Sequence, residues 1–205
     1  PAPTAAGPAA PTPTEPPELP EDLRDNPLGD VLARLEANDP QLATFMYFHR
    51  RPLLDDADLA RYHAFLADPD VHAAVKHDLL YPEDAKVDQA ANIKRLIKID
   101  YLRAALDWAD NPARGEVIGV IGDILTTDNY LPGLGMDLRL SLSGNKLELY
   151  ELLDRVAPDR ARAIVEAARG THQEALLRHI ASSIATRHDL EARLDTEARP
   201  EGPTP

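Results

Sequence analysis

Seven histidines and an excess of carboxylates are the residues in this chain that could do chemistry, and the chemistry they could do is metal-assisted hydrolysis. Two ligands for one ion on a single helix need a spacing of three or four, which stacks both imidazoles on one face. No histidine pair has it: His72 and His77 are five apart, and His172 and His179 are seven apart. A metal site would have to be assembled across helices, so none is assigned. Serine chemistry has less to work with, because Ser141, Ser143, Ser182 and Ser183 all lie outside a nucleophile elbow. The "GLG" at 133–135 lacks the Lys and helix start that cradle a phosphate. Cysteine is absent, which removes disulfides, thiol nucleophiles and Cys-ligated metals together. These patterns call for no cofactor.

His77-Asp78 resembles the centre of the HD-type metal-dependent phosphohydrolases, all-α enzymes that use a His, a His-Asp pair and a distant Asp. The resemblance implies a catalytic set of His77, Asp78, His49 and Asp123, with His63 and Asp100 as substitutes for the last two, and it is the alternative function to weigh. Three of these residues also sit in apolar stripes, which predicts buried polar groups. Asp100 shares the register of Ile93, Ile97, Ala104 and Trp108; His49 follows Leu42, Phe45 and Met46; His63 follows Leu59 and Tyr62. A buried carboxylate must be paired or protonated, and Arg103 or Arg139 is the expected partner of Asp100. Asp55, Asp56 and Asp58 read as a helix start favoured by the dipole. The basic cluster Lys94, Arg95 and Lys98 reads as a solvated helix face.

A net charge of −13 excludes sequence-independent binding to nucleic acid, which needs a basic field. No apolar run approaches the length of a membrane span, so no direct membrane insertion is expected from this segment. The Pro/Ala/Thr-rich residues 1–21 read as a disordered tether and 198–205 as a disordered tail, flanking a single helical domain over 22–197. A chain that opens at Pro1 inside a tether leads us to expect a signal peptide or lipoprotein anchor upstream, hence a periplasmic or bacterial cell-envelope location. Another upstream domain or a tag, with a cytoplasmic location, is the alternative.

The elements that must position any site are helices. Apolar spacings of three, four and seven, with Asp-Pro, Asn-Pro and Ala-Pro start signals, predict helices near 28–37, 40–50, 56–67, 70–80, 87–109, 113–127, 145–156, 158–169 and 172–195. The long helix over 87–109 is predicted to be central and packed on more than one side. "GEVIGVIGDIL" reads as helix despite its β-branched residues, because strict alternation is absent, with Gly119 and Gly122 on its polar side. Pro27, Pro69, Pro112 and Pro158 recur at about 42, 43 and 46 residues, a two-helix period. "DPDVHAAVKHDLL" in that array resembles a HEAT-type helical repeat, which implies stacked helical hairpins that bind proteins. The fold class is all-α, as an α-solenoid-like stack or an irregular bundle.

One stretch interrupts the helical pattern. In "TTDNYLPGLGMDLRLSLSGNK", Pro132, Gly133 and Gly135 make a turn, and Leu138, Leu140 and Leu142 alternate with Arg139, Ser141 and Ser143. This predicts a long irregular loop near 128–144 holding one short strand, whose edge could accept a partner. Tyr130, Leu134, Leu138, Leu140 and Leu142 are therefore the partner-binding candidates. The reading as a whole is a non-catalytic protein-interaction or scaffolding module with a protein partner. A chaperone or pilotin-like partner of a secreted protein is a further alternative.

Overall fold

Aspartate sets many of the helix starts. The Oδ1 atoms of Asp39, Asp55, Asp68 and Asp88 accept from the amides of Leu42, Asp58, Asp70 and Ala91 at 3.0, 2.7, 2.9 and 2.7 Å. Each bond satisfies an amide that a first helical turn leaves without an intrahelical partner, a cap worth about 1 kcal/mol. The computed structural model describes residues 27–81, 88–130 and 133–198. The expected tether over 1–21 lies outside them, as does the expected tail over 198–205 except Ala198, which ends the last helix. The described elements are α1 (Pro27–Asn38), α2 (Pro40–His49), α3 (Asp56–Leu66), α4 (Pro69–Leu80), α5 (Gln89–Asp107), α6 (Arg114–Thr126), α7 (Met136–Val156), α8 (Pro158–Ala167) and α9 (Glu174–Ala198). No strand occurs among the described residues, and the chain is all-α as its periodicity predicts. Gly170, at φ 75°, ends the turn after α8. Thr171 Oγ1 then accepts from Gln173 N at 3.2 Å, and Glu174 reaches back to Gly170 N at 2.7 Å, opening α9.

The long helix α5 is the centre, in contact with α1, α2, α3 and α4 and also with α6 and α7. Its Ile97, Ile99, Tyr101, Leu102, Ala105 and Leu106 are buried, on more than one side as expected. Each such Leu or Ile contributes about 1.5–3 kcal/mol of burial. Consecutive helices also pair, α1 with α2 and α7 with α8, so the packing fits an irregular bundle with hairpins inside it. One apolar cluster joins these layers, with Val117, Ile121 and Leu125 of α6, Leu149 and Leu153 of α7 and Leu177 of α9 fully enclosed.

The expected strand, and the expected loop from residue 136 onward, are corrected by the fold: the described residues 128–130 and 133–135 are non-helical, but α7 begins at Met136. Leu138 and Leu142 are four apart, so a helix buries both as well as a strand would. A lone strand leaves two rows of unpaired backbone groups, whereas a helix satisfies them internally and runs on into the amphipathic stretch 146–156. The opposite ends of helices α3 to α6 are closed by side chains from elsewhere. Tyr101 Oη donates to Phe65 O at 3.1 Å and His72 Nε2 to Leu66 O at 3.0 Å, closing α3. Asn129 Nδ2 donates to Leu80 O of α4 at 3.1 Å, and Asn111 Nδ2 to Ala105 O of α5 at 2.8 Å.

The closure of α6 is made by a buried cation. Lys146 Nζ, on α7, donates to the carbonyls of Ile124, Leu125 and Thr127 at 3.0, 3.0 and 2.7 Å. An ammonium has three protons, and here each has an acceptor at the negative end of a helix dipole. Burial still pushes its pKa down from 10.5 to about 8, and Asp128 offsets only part of that.

Two stability predictions follow from α6 and its closure. A Cβ at Gly119 would meet nothing within 4 Å, so no backbone approach requires glycine there. Gly119→Ala should stabilise by about 1 kcal/mol, raising Tm by roughly 2–4 °C. Lys146→Met orphans three carbonyls and should cost about 2–4 kcal/mol at pH 7 in urea unfolding. Above pH 8 the folded chain sheds a proton that the unfolded chain keeps until about 10.5. The unfolded state therefore binds more protons in that window, and the stability lead of the wild type over Lys146→Met should grow as pH rises through it. A lead that shrinks there would contradict a Lys146 pKa lowered by burial.

Candidate functional site

With Lys146 held against the end of α6, the roll of α7 is set, and so is what each of its leucines meets. Leu138 and Leu142 are buried at 3% and 2% exposure, in the same face as Leu149 and Leu153. Leu140 points the other way and is 63% exposed; Met136 and Leu147, four residues before it and seven after, are 70% and 37% exposed. At 100° per residue these three share one face, so α7 carries an apolar row on the side away from the core. Leu96 of α5, 54% exposed, belongs to the same surface. Ser141 Oγ lies 3.4 Å from Asn92 Oδ1 and Arg103 Nη2 lies 3.6 Å from Glu148 Oε2, and these pairs bracket Leu96 and Gly144 on the facing edges of the two helices.

On its other flank the row borders a groove of about 410 Å³, lined by Asp128, Tyr130, Ser143, His172, Gln173 and Leu176. Tyr130 Oη and Ser143 Oγ are 2.7 Å apart, and Ser143 Oγ donates to Arg139 O at 2.9 Å. The hydroxyl is thus engaged on both sides, and no activated nucleophile results. Asp128 Oδ1 accepts from Tyr130 N at 3.2 Å and from Gln173 Nε2 at 3.1 Å, while Oδ2 faces His172 Nδ1 at 3.2 Å. The Tyr130 amide first, with His172 and Gln173 adding, holds the Asp128 carboxyl below its usual range. These bonds pin the α6–α7 connection to the start of α9 and shape the groove wall.

The partner-binding candidates are therefore divided by the fold. Leu140 is on the open face, Tyr130 lines the groove, Leu134 is half-buried, and Leu138 and Leu142 belong to the core. Met136, Leu147 and Leu96 were not singled out in the sequence. The spacing of 136, 140 and 147 on one helical face would have shown the first two once the segment was read as helix. Leu96 carries no such signal, since its register with Ile93 and Ile97 points inward.

The hydrolase residues are not brought together. Asp78 Oδ2 accepts from Lys98 Nζ at 2.7 Å, Asp123 Oδ2 from Lys76 Nζ at 2.5 Å, and His49 stacks on Phe45 at 4.7 Å. His77 lies 3.6 Å from its neighbour Asp78 on α4, while His49 is on α2 and Asp123 on α6. No group of three or more metal-ligating side chains gathers among the described residues.

The expected buried polar set is corrected as well. Asp100 is 39% exposed and pairs with Arg103 at 2.5 Å, the partner expected of it. His49 is exposed, and His63 is half-buried, stacked on Trp108 at 4.0 Å. The polar groups that are buried include His72, Arg95, Lys98 and Lys146, two of them from the cluster expected to face solvent. Lys98 reaches Asp39 on one helix start and Asp78 on α4, at 3.2 and 2.7 Å. Burial opposes ionisation of both carboxyls, but the Lys98 charge and the hydrogen bonds outweigh it, and both stay below the usual carboxylate range.

Compared with known proteins, the chain matches no family model, no curated protein and no solved structure. The class it can be given is the one its fold defines, an all-α helical protein with an apolar row exposed on α7.

The division of the leucines is testable. Leu140→Lys should leave unfolding free energy within about 0.5 kcal/mol of wild type, and Leu142→Lys should cost more than about 3 kcal/mol, because only the second buries a charge. Equal effects in urea titrations would restore the strand, in which both share a face.

Proposed function

We propose that this chain is a protein-interaction module that docks its partner on the outer face of α7. The supporting observation is the row Met136, Leu140 and Leu147 with Leu96 beside it, large apolar side chains left in water on the side of α7 opposite its core. Single exposed leucines are ordinary, but a contiguous set on two adjoining helices keeps apolar area hydrated at about 25 cal/mol per Å², which a partner would recover. The polar groove at Tyr130 and Ser143 supplies hydrogen-bonding groups at its margin, as interface rims do. The Pro/Ala/Thr composition of residues 1–21 supports a module held on a stalk, with a bacterial cell envelope as the proposed setting. No strand edge is needed for this reading; the docking element is a helix.

The test is capture from lysate of the native organism with three baits: wild type, Leu140→Lys, and Leu53→Lys, which alters a side chain that is 89% exposed elsewhere. We expect one salt-resistant protein retained by wild type and Leu53→Lys and lost with Leu140→Lys. Equal retention by all three would remove the α7 face from the function.

A further inference from the structure

The occupant of the α7 face can be narrowed by its shape and charge, on the reading of that face as the docking surface. Met136, Leu140 and Leu147 stand at positions i, i+4 and i+11, a row about 16 Å long. Gly144 takes the i+8 position, where a Cβ would meet nothing within 4 Å, so the row has an open notch in its middle with Leu96 beside it. Knobs spaced by one helical turn around a notch accept the ridge of another helix. Among the described residues a partner strand would find no free strand edge here, because the elements beside α7 are helices.

Charge separates the possible helices. The chain carries −13, and a second copy would bring the same field, which opposes self-association. On and beside α7, Asp137, Arg139, the pair Asp100 and Glu148 sharing Arg103, and the pair Glu151 and Glu191 around Arg187 set five carboxylates against three guanidiniums, so the flanks stay net acidic after the internal ion pairs are made. We infer that the α7 face takes an amphipathic helix whose apolar stripe is flanked by Lys and Arg. Its apolar residues fill the notch at Gly144 between Leu140, Leu147 and Leu96, and its cations sit over the acidic flanks and are steered by the net charge.

The probe is a synthetic amphipathic helix about four turns long, with Leu at i, i+4, i+7 and i+11 and Lys on both flanks, compared with a twin carrying Glu in place of Lys. Fluorescence anisotropy with the full chain should give the Lys-flanked peptide a Kd about tenfold or more below that of its twin, with affinity falling as salt rises. Leu140→Ser, which removes the apolar knob without adding charge, should weaken binding by about tenfold while the far-UV spectrum is kept. If both peptides bind alike and both are weakened by Leu140→Ser, the docking face stands and the basic partner is overturned. If binding is unchanged by Leu140→Ser, both readings fall. If neither peptide binds, the basic helix is overturned, and a dimer in sedimentation that Leu140→Ser dissolves would name a second copy as the occupant.

Discussion

The three hydrogen bonds from Lys146 to the end of α6 are the constraint on which the rest of the arrangement turns. A helix end leaves carbonyls without partners, and burying them unpaired costs about 1–3 kcal/mol each. One ammonium on α7 serves three of them at once. Because a lysine has a fixed reach, the bond set also fixes how far α7 slides along α6 and how it is rolled. Leu138, Leu142, Leu149 and Leu153 then turn inward together, and Met136, Leu140 and Leu147 are carried to the outside. The exposed row is a geometric consequence of the buried cation.

The same economy recurs at the ends of α3, α4 and α5, where Tyr101, His72, Asn129 and Asn111 supply the donors. Glycine caps are used sparingly: Gly133 and Gly170 are the glycines with positive φ among the described residues. Tyr101 and Asn129 reach their acceptors from 36 and 49 residues away and so couple local ends to tertiary packing, while His72 and Asn111 close theirs from six residues on. The Lys98 pair with Asp39 and Asp78 does the same for helix starts, tying the cap of α2 to α4 through α5. Removing either carboxylate would leave less compensation for the enclosed Lys98 charge, so the three groups hold as a set.

Among the described residues, several polar groups that the sequence offers for chemistry are held in structural bonds. Lys98 and Lys76 neutralise the carboxylates that a phosphohydrolase reading would need free, and the serine nearest a histidine-bearing groove donates to its own helix backbone. Among the surfaces the fold leaves open is an apolar row on α7 with a notch at Gly144. Surfaces of that kind bind by burying area and gain selectivity from their charged margins.

Residue types and spacing alone determined the helices, because their causes are local. Asp and Pro at the starts, Gly170 at a stop, and apolar residues at three and four are each felt within one or two turns, and the predicted starts at Pro40, Asp56 and Pro158 stand in the fold. Even the β-branched run of α6 was legible, since alternation was missing. The segment at 138–142 was not, because alternating leucines two apart are also four apart, and the choice between helix and strand fell to whether a pairing strand existed elsewhere. Burial of polar groups was the other thing only the tertiary structure decided. Asp100 and Lys98 lie two residues apart on one helix, yet Lys98 is enclosed and Asp100 is 39% exposed. That difference depends on which helices close over each residue, and such contacts join positions separated by tens of residues, where no sequence spacing records them.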